Sequence, residues 1–340
     1  MMPDPIEVLI TLPFTEPLLT TLRDISPRLH FTLQPARRAE DIPAEVWART
    51  EVLYTDRVLP DPAKVPNLRW IQFHFAGIDF VAESPLVQKP DLVITHLSGA
   101  SATQVAEYIV MMMLALGHHL PDLMDSQAKV EWPRERNERF IPLELFRSTV
   151  GIIGYGSIGR QVTHLLQPFG VSVLATKREV MRPQDSGYTQ KGLGDLQGDL
   201  FQRLYPVQAL KSMLHLCDFI VVTVPLTAET RGLVGVEELA AVKPTAYLID
   251  ASRGGVVNHT ALVTALEERR LAGAALDVFP DEPLPPASPL WRMPNVIITP
   301  HISGSSLYYN ERAVTLFSEN INRYLAGLPL LNQFDPTLGY

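Results

Sequence analysis

The chain has 340 residues, 46% of them hydrophobic, and a formal net charge of −8. That length suggests about two domains, each with enough apolar residues for a core of its own. The acidic balance leaves no basic stripe to neutralise phosphates, which argues against a nucleic-acid partner.

The N-terminal hundred residues alternate strand-like runs with helical ones. Val8-Leu9-Ile10, Val52-Leu53-Tyr54, a run over 68–73 and Leu92-Val93-Ile94-Thr95 read as strands separated by prolines and acidic residues. Strands alternating with helices imply a parallel sheet covered on both faces. Thr11-Leu12-Pro13-Phe14 follows the first strand without a glycine turn, so this unit is not expected to hold a nucleotide. The first ten residues lack a basic region followed by an apolar run, so no secretory leader is expected and the location reads as cytoplasmic. The most membrane-like run, 108–117, is about half of the roughly 20 residues a span needs, and reads as part of a buried helix over 101–117. Its methionine cluster reads as core filling. Residues 120–147 are charged, with Trp132, Phe140 and Phe146 interspersed, and suit an exposed arm or a subunit contact.

A second α/β unit opens with Val150-Gly151-Ile152-Ile153-Gly154-Tyr155-Gly156-Ser157-Ile158-Gly159. This is a short apolar strand, a G-x-G-x-x-G turn, and a helix beginning near Ser157. Gly154 allows the tight reversal, Gly156 lets the backbone approach a pyrophosphate, and Gly159 lets the helix pack on the strand. The phosphates would sit at the helix N-terminus, where unpaired N–H groups and the helix dipole favour negative charge. The next strand, 171–175, leads into 182–199, which is rich in Gly, Asp and Gln without an apolar period and reads as an inserted surface loop. Helix 209–216, strands 219–224 and 246–250, helix 259–270, strands 274–278 and 296–299, and a final amphipathic helix over 306–326 complete the pattern. The single cysteine, Cys217, lies in an apolar run and reads as a buried inert thiol. Nine histidines show no metal-binding spacing, and adjacent His118 and His119 would face different sides of a helix, so no metal is expected.

An adenosine site needs a group at the end of the second strand: an acid about 20 residues on for the ribose of NAD, or cations for a 2′-phosphate. Here Lys177 and Arg178 stand there, Lys177 being 18 residues beyond Gly159, which favours NADP(H) while leaving NAD(H) possible. Three later turns after strands each carry a polar residue: Asp250-Ala251-Ser252-Arg253-Gly254-Gly255, Asp277 to Glu282-Pro283, and Thr299-Pro300-His301-Ile302-Ser303-Gly304. Turns at strand ends of a doubly wound sheet border the ligand crevice, so an Arg, a Glu and a His converge on one cleft.

These segments, with Glu282 29 residues after Arg253 and His301 19 after Glu282, resemble the signatures of the D-isomer-specific 2-hydroxyacid dehydrogenase family. The resemblance extends to Phe75-Ala76-Gly77-Ile78-Asp79, Val105-Ala106-Glu107-Tyr108, Val224-Pro225-Leu226-Thr227 and Thr230-Arg231-Gly232. Two doubly wound parallel-sheet α/β domains are then expected. A Rossmann cofactor domain over 101–305, with a dimerisation arm at about 118–147, would be inserted into a flavodoxin-like substrate domain made of 1–100 and 306–340.

The chemistry follows from the side chains. A planar guanidinium can contact both the carboxylate and the carbonyl of a 2-keto acid, which suits Arg253. The alkoxide formed by hydride delivery needs a proton, and His301 is the natural donor near neutral pH, with Glu282 to orient it. The resemblance implies the same three catalytic residues. It implies that Asp277 meets the nicotinamide carboxamide and that the N–H groups of Ala76 and Gly77 grip the substrate carboxylate. The expected cofactor set is Gly154, Tyr155, Gly156, Ser157, Ile158, Lys177, Arg178, Val224, Pro225, Thr230, Ala251, Ser252, Asp277, His301 and Gly304.

The resulting expectation is an NADP(H)-favouring reductase of a small 2-keto acid, of the glyoxylate or hydroxypyruvate type, acting as a homodimer. Phosphoglycerate dehydrogenase is the alternative within the family, weighed down by the short stretch after Ala326. Relatives that oxidise formate or phosphite would favour NAD, against Lys177 and Arg178. A nucleotide-sensing, corepressor-like protein is the alternative from another class, disfavoured by the complete Arg253, Glu282 and His301 set and by the lack of a basic tail. His74, Ser303 and Trp132 are further positions that could tune the pocket.

Overall fold

A computed structural model describes residues 4–185 and 187–339, so Ser186 of the 182–199 segment lies outside the described residues. The chain divides into two compact units, Met1–Ser101 with Ser306–Tyr340, and Ala102–Ser305.

The first unit holds five parallel strands: β1 (Ile6–Ile10), β2 (Leu29–Leu33), β3 (Val52–Thr55), β4 (Trp70–Phe73) and β5 (Val93–Thr95), in the spatial order β2-β1-β3-β4-β5. This is the doubly wound, flavodoxin-like order. Because side chains alternate across a strand, Val8, Ile10, Tyr54 and Trp70 go to one face and Leu9, Leu53, Ile71 and Ile94 to the other. Both faces are buried, which is why the strands read as continuous apolar runs. The first face is covered by helix α1 (Glu16–Arg23) and by the C-terminal helix Tyr309–Leu325, through Leu19, Leu22, Phe317 and Ile321. Helix α2 (Ala44–Arg49) brings Trp47 to the other.

The second unit begins with helices α3 (Ala102–Gly117), α4 (Leu120–Ala128) and α5 (Arg136–Arg139). Seven parallel strands follow: β6 (Thr149–Ile153), β7 (Ser172–Thr176), β8 (Arg203–Tyr205), β9 (Phe219–Val222), β10 (Tyr247–Asp250), β11 (Gly273–Leu276) and β12 (Val296–Ile298). Their order is β12-β11-β10-β9-β6-β7-β8, so the winding reverses between β6 and β9. In such a sheet a ligand binds beyond the carboxyl ends of the strands at this reversal. α3 and α6 (Ser157–Leu166) cover the face that carries Val150, Ile152, Val173, Phe219 and Ile249. Helices α7 (Leu210–Leu214), α8 (Val236–Ala240) and α9 (His259–Glu267) cover the opposite face. Among the described residues no helix is long and apolar enough to cross a membrane.

Several expectations need correction. α3 ends at Gly117, so His118 and His119 are turn residues rather than helix residues, and His119 is left-handed (φ 54°) with Nε2 2.9 Å from the Ile141 carbonyl. The last helix starts at Tyr309 rather than near 306, because the Ser306 hydroxyl takes the Tyr308 N–H as a turn. Helix 209–216 shortens to Leu210–Leu214 after a 3₁₀ turn. Met112 and Met113 are core residues, whereas Met111 is 52% exposed.

Candidate active site

The glycine turn follows β6 directly. Gly154 has φ +103°, and a Cβ there would meet Val224 Cγ1 at 2.7 Å. A Cβ on Gly159 would stand 2.5 Å from the Gly154 carbonyl oxygen, so only glycine lets α6 lie this close to the turn. At Gly156 a Cβ would meet nothing within 4 Å: this residue leaves open space beside the N-terminus of α6, where amide N–H groups have no intrahelical partner. These residues therefore fit the pyrophosphate of a dinucleotide. Thr223 Oγ1 donates to the Gly154 carbonyl, which ties β9 to the turn and brings Val224 and Pro225 beside it. Thr230 Oγ1 closes the next loop on the Pro225 carbonyl at 2.6 Å.

At the end of β7 the two cations part. Arg178 is exposed, whereas the Lys177 ammonium donates to the carbonyls of Arg182 and Gln184. Burial, with the nearby Arg160 guanidinium, holds the Lys177 amine below its ordinary value. The described residues of 182–199 form a loop without helix or strand, and buried contacts tie it to the glycine turn. Arg160 of α6 is 1% exposed and Asp195 4% exposed. The Arg160 guanidinium donates to the carbonyls of Asp195 and Pro183, both at 2.5 Å, and lies 4.7 Å over the Tyr155 ring. Tyr155, between the first two glycines, donates its hydroxyl to Asp195 Oδ2 at 2.6 Å. Neither Arg160 nor Asp195 was singled out from the sequence. The available signal was a charged residue on a helix next to the glycine turn, and an aspartate bracketed by Gly194 and Gly198.

The three polar turns sit at the carboxyl ends of β10, β11 and β12. Asp250 Oδ1 accepts from the amide and hydroxyl of Ser252, at 3.0 and 2.5 Å, which bends the chain toward Arg253. Arg253 is half-buried and Nη1 donates to the Ser252 carbonyl at 2.7 Å. A Cβ on Gly254 would stand 1.9 Å from the Phe279 carbonyl oxygen, so glycine alone lets the arginine loop press against the loop that carries Glu282. Glu282 Oε1 accepts from the Phe279 amide at 3.0 Å, and Oε2 is 2.8 Å from His301 Nδ1. With Nδ1 engaged, Nε2 is the ring nitrogen left to face a reactant. Both side chains are well exposed, at 37% and 43%. His301 itself has a left-handed backbone, φ 52°. Asp277 is fully buried and accepts from Thr299 Oγ1 at 2.6 Å and from the amides of Ile302 and Ser303, both at 2.9 Å. It thus holds the Thr299 side chain before His301 and the backbone after it. Thr299 is held in turn by the Tyr108 hydroxyl at 2.8 Å, and the Gly304 carbonyl accepts from Gln104 Nε2 at 2.8 Å. The sequence reading missed these α3 contacts.

In the first unit, Ala76 and Gly77 lie in the turn after β4. That turn is fixed where it begins: His74 N–H donates to the Thr55 carbonyl, Tyr309 OH to the His74 carbonyl and Leu97 N–H to the Phe75 carbonyl. His74 Nδ1 is 2.8 Å from the buried Tyr54 hydroxyl, and burial lowers its imidazole to about 4, so it is neutral at pH 7.

Comparison with known proteins decides the family. A model of the D-isomer specific 2-hydroxyacid dehydrogenase NAD-binding domain matches residues 110–303. The chain belongs to this family. It is 33% identical over 263 residues to a glyoxylate reductase of Thermofilum pendens, covering 77% of this chain and 73% of that one. It is 33% identical over 253 residues to a D-3-phosphoglycerate dehydrogenase of Synechocystis, covering 74% of this chain but only 42% of that protein's length. A crystal structure of a family member from Xanthobacter autotrophicus Py2, in complex with NADPH and MES, superimposes with a TM-score of 0.81 at 28% identity. That match covers 99% of this chain and 100% of the other. Family membership thus rests on a domain that contains the glycine turn, Arg253, Glu282 and His301 together.

Proposed function

We propose that the protein is an NADP(H)-favouring reductase of a small 2-keto acid, of the glyoxylate or hydroxypyruvate type. The observation that carries this is the Glu282–His301 contact of 2.8 Å, set on the same sheet edge as Arg253 and the glycine turn. A bound reduced nicotinamide supplies the hydride. Arg253 binds the substrate carboxylate and keto oxygen and fixes the reacting carbon's orientation. His301 gives a proton from Nε2 to the oxygen that becomes the alcohol, and takes it back in the reverse direction. Glu282 holds Nδ1–H and so keeps the ring turned for that transfer. Ala76 and Gly77 N–H groups serve as donors to the carboxylate. Arg178 is the cation offered to a 2′-phosphate, and the NADPH in the Xanthobacter relative supports that preference. A homodimer through the arm at about 118–147 accords with the exposure of Met124, Trp132 and Phe146 there. No step here needs a metal.

The test is oxidation of NADPH and of NADH against a panel of 2-keto acids of increasing size. Turnover on glyoxylate or hydroxypyruvate with NADPH is expected, and His301→Ala should lower it about 10²- to 10⁴-fold with nucleotide binding kept. Phosphohydroxypyruvate as the preferred substrate would favour the phosphoglycerate reading. Tight cofactor binding without turnover on any acid would mark a nucleotide sensor.

A further inference from the structure

In a doubly wound sheet the crossover between parallel strands is usually a helix. Between β7 and β8 this chain instead runs through 177–202 without helix or strand among its described residues. Segments of that length without secondary structure are uncommon in a compact domain unless they serve a purpose. This one is held by buried polar contacts. Arg160 forks onto the carbonyls of Pro183 and Asp195. Asp195 in turn accepts from the amides of Gly198 and Asp199 at Oδ1, and from Leu200 N–H and Tyr155 OH at Oδ2. Gln161 Oε1 accepts the Gly194 amide at 2.6 Å. The anchors Tyr155, Arg160 and Gln161 belong to the glycine turn or the first turns of α6, and Lys177 to the end of β7; Gln167 at the far end of α6 adds a contact to the Leu200 carbonyl. The glycine turn and the end of β7 are the two strand ends that an adenosine and its pyrophosphate touch.

We propose that Arg160 and Asp195 are positioning residues for the adenosine end of the cofactor. By their contacts they fold 182–200 into a wall of that subsite. The wall takes the Lys177 ammonium, and the proposal assigns the choice between the 2′-phosphate and the 2′-hydroxyl to Arg178, exposed at the same strand end. Arg160 touches no nucleotide; it acts through the wall. The proposal rests on the cofactor reading above and assigns its specificity to particular residues.

The test pairs two measurements on the full chain: the trypsin cleavage rate at Lys191, and the dissociation constants of NADPH and NADH from nicotinamide fluorescence. Cleavage reports the population in which the segment has opened. Arg160→Met and Lys177→Met should each speed cleavage about 10-fold or more and weaken both nucleotides by a common factor of about 10, as expected for two lost hydrogen bonds. Arg178→Ala should leave cleavage at the wild-type rate and weaken NADPH alone. Tyr155→Phe, which removes one hydroxyl contact to Asp195 and spares the buried cation, should move both readouts the same way by about 3-fold and serves if Arg160→Met does not fold.

The proposal is overturned if Lys177→Met leaves cleavage unchanged and weakens only NADPH, since Lys177 would then read the phosphate itself. It is overturned too if opening the segment leaves both dissociation constants unchanged while the wild type binds NADPH. A wild-type chain that binds neither nucleotide removes the cofactor reading itself, a separate failure.

Discussion

Asp250 ends β10 beneath the Arg253 loop, fully buried, and its Oδ2 has no hydrogen-bond partner among the described residues. Burial, above all, raises its carboxyl to about 7; the Asp277 carboxylate adds to this, and the Ser252 hydrogen bonds oppose it. The folded value lies above the ordinary 3.8. As pH rises from about 4 to about 7, the unfolded chain has released this proton while the folded chain still holds it. The unfolded state then binds fewer protons, so this group's contribution to stability is full below about pH 4, falls through that window and levels off above it. The total loss is ~4 kcal/mol at ~1.36 kcal/mol per pH unit. Asp250→Asn keeps the acceptor toward Ser252 and removes the ionisation. Thermal melts of both proteins from pH 4 to 8 isolate the effect, because the constant cost of the substitution cancels. The midpoint of the variant minus that of the wild type should climb by roughly 8–16 °C over this range, at about 2–4 °C per kcal/mol for a unit of this size. A difference that stays flat with pH would show that Asp250 does not titrate there and would refute the reasoning.

Gly254→Ala places a Cβ 1.9 Å from the Phe279 carbonyl, so the loops carrying Arg253 and Glu282 must separate. A loss of at least ~2 kcal/mol by denaturant melts, with a fall in kcat/KM, is expected. Cys217 is buried, donates to the Met213 carbonyl, and is pushed by burial up to about 12, so a thiol reagent at pH 8 should label it only after denaturant is added. Rapid labelling of the native protein would contradict that burial. Trp132 is 82% exposed on the arm, and Trp132→Ser should shift sedimentation from dimer toward monomer with the circular dichroism unchanged; a monomeric wild type would dismiss the arm as a dimer contact.

What could be read from the sequence was local. The glycine turn declares itself because its spacing alone implies the reversal at Gly154 and the close approach of Gly159 to it five residues on, and the alternating faces of β6 and β9 appear as apolar runs. The polar turns were visible as single charged residues beside Gly or Pro after strands. The segment 182–199 was not legible, because its order comes from Arg160 meeting carbonyls 23 and 35 positions away. A buried arginine that pairs with backbone carbonyls has no periodic signature, and the surrounding glycines look like disorder until the contacts are known. Lys177 was read from the sequence as a cofactor contact, and its bonds to the Arg182 and Gln184 carbonyls were hidden for the same reason, since composition does not announce them.

His301 shows how the division of labour is built. Two carboxylates serve it, from the loop after one strand, five residues apart. Asp277 spends its oxygens on Thr299, Ile302 and Ser303, and so fixes a left-handed backbone that a non-glycine residue adopts only when its surroundings over-determine it. Glu282, by contrast, leaves the backbone alone and holds the ring. Asp277, read from the sequence as an acid that meets the nicotinamide, is fully buried and accepts three hydrogen bonds from the loop. The burial follows from the task. A carboxylate shielded from water gives stronger hydrogen bonds to three donors, whereas the one beside the imidazole lies near solvent, which suits the proton transfer proposed for that ring.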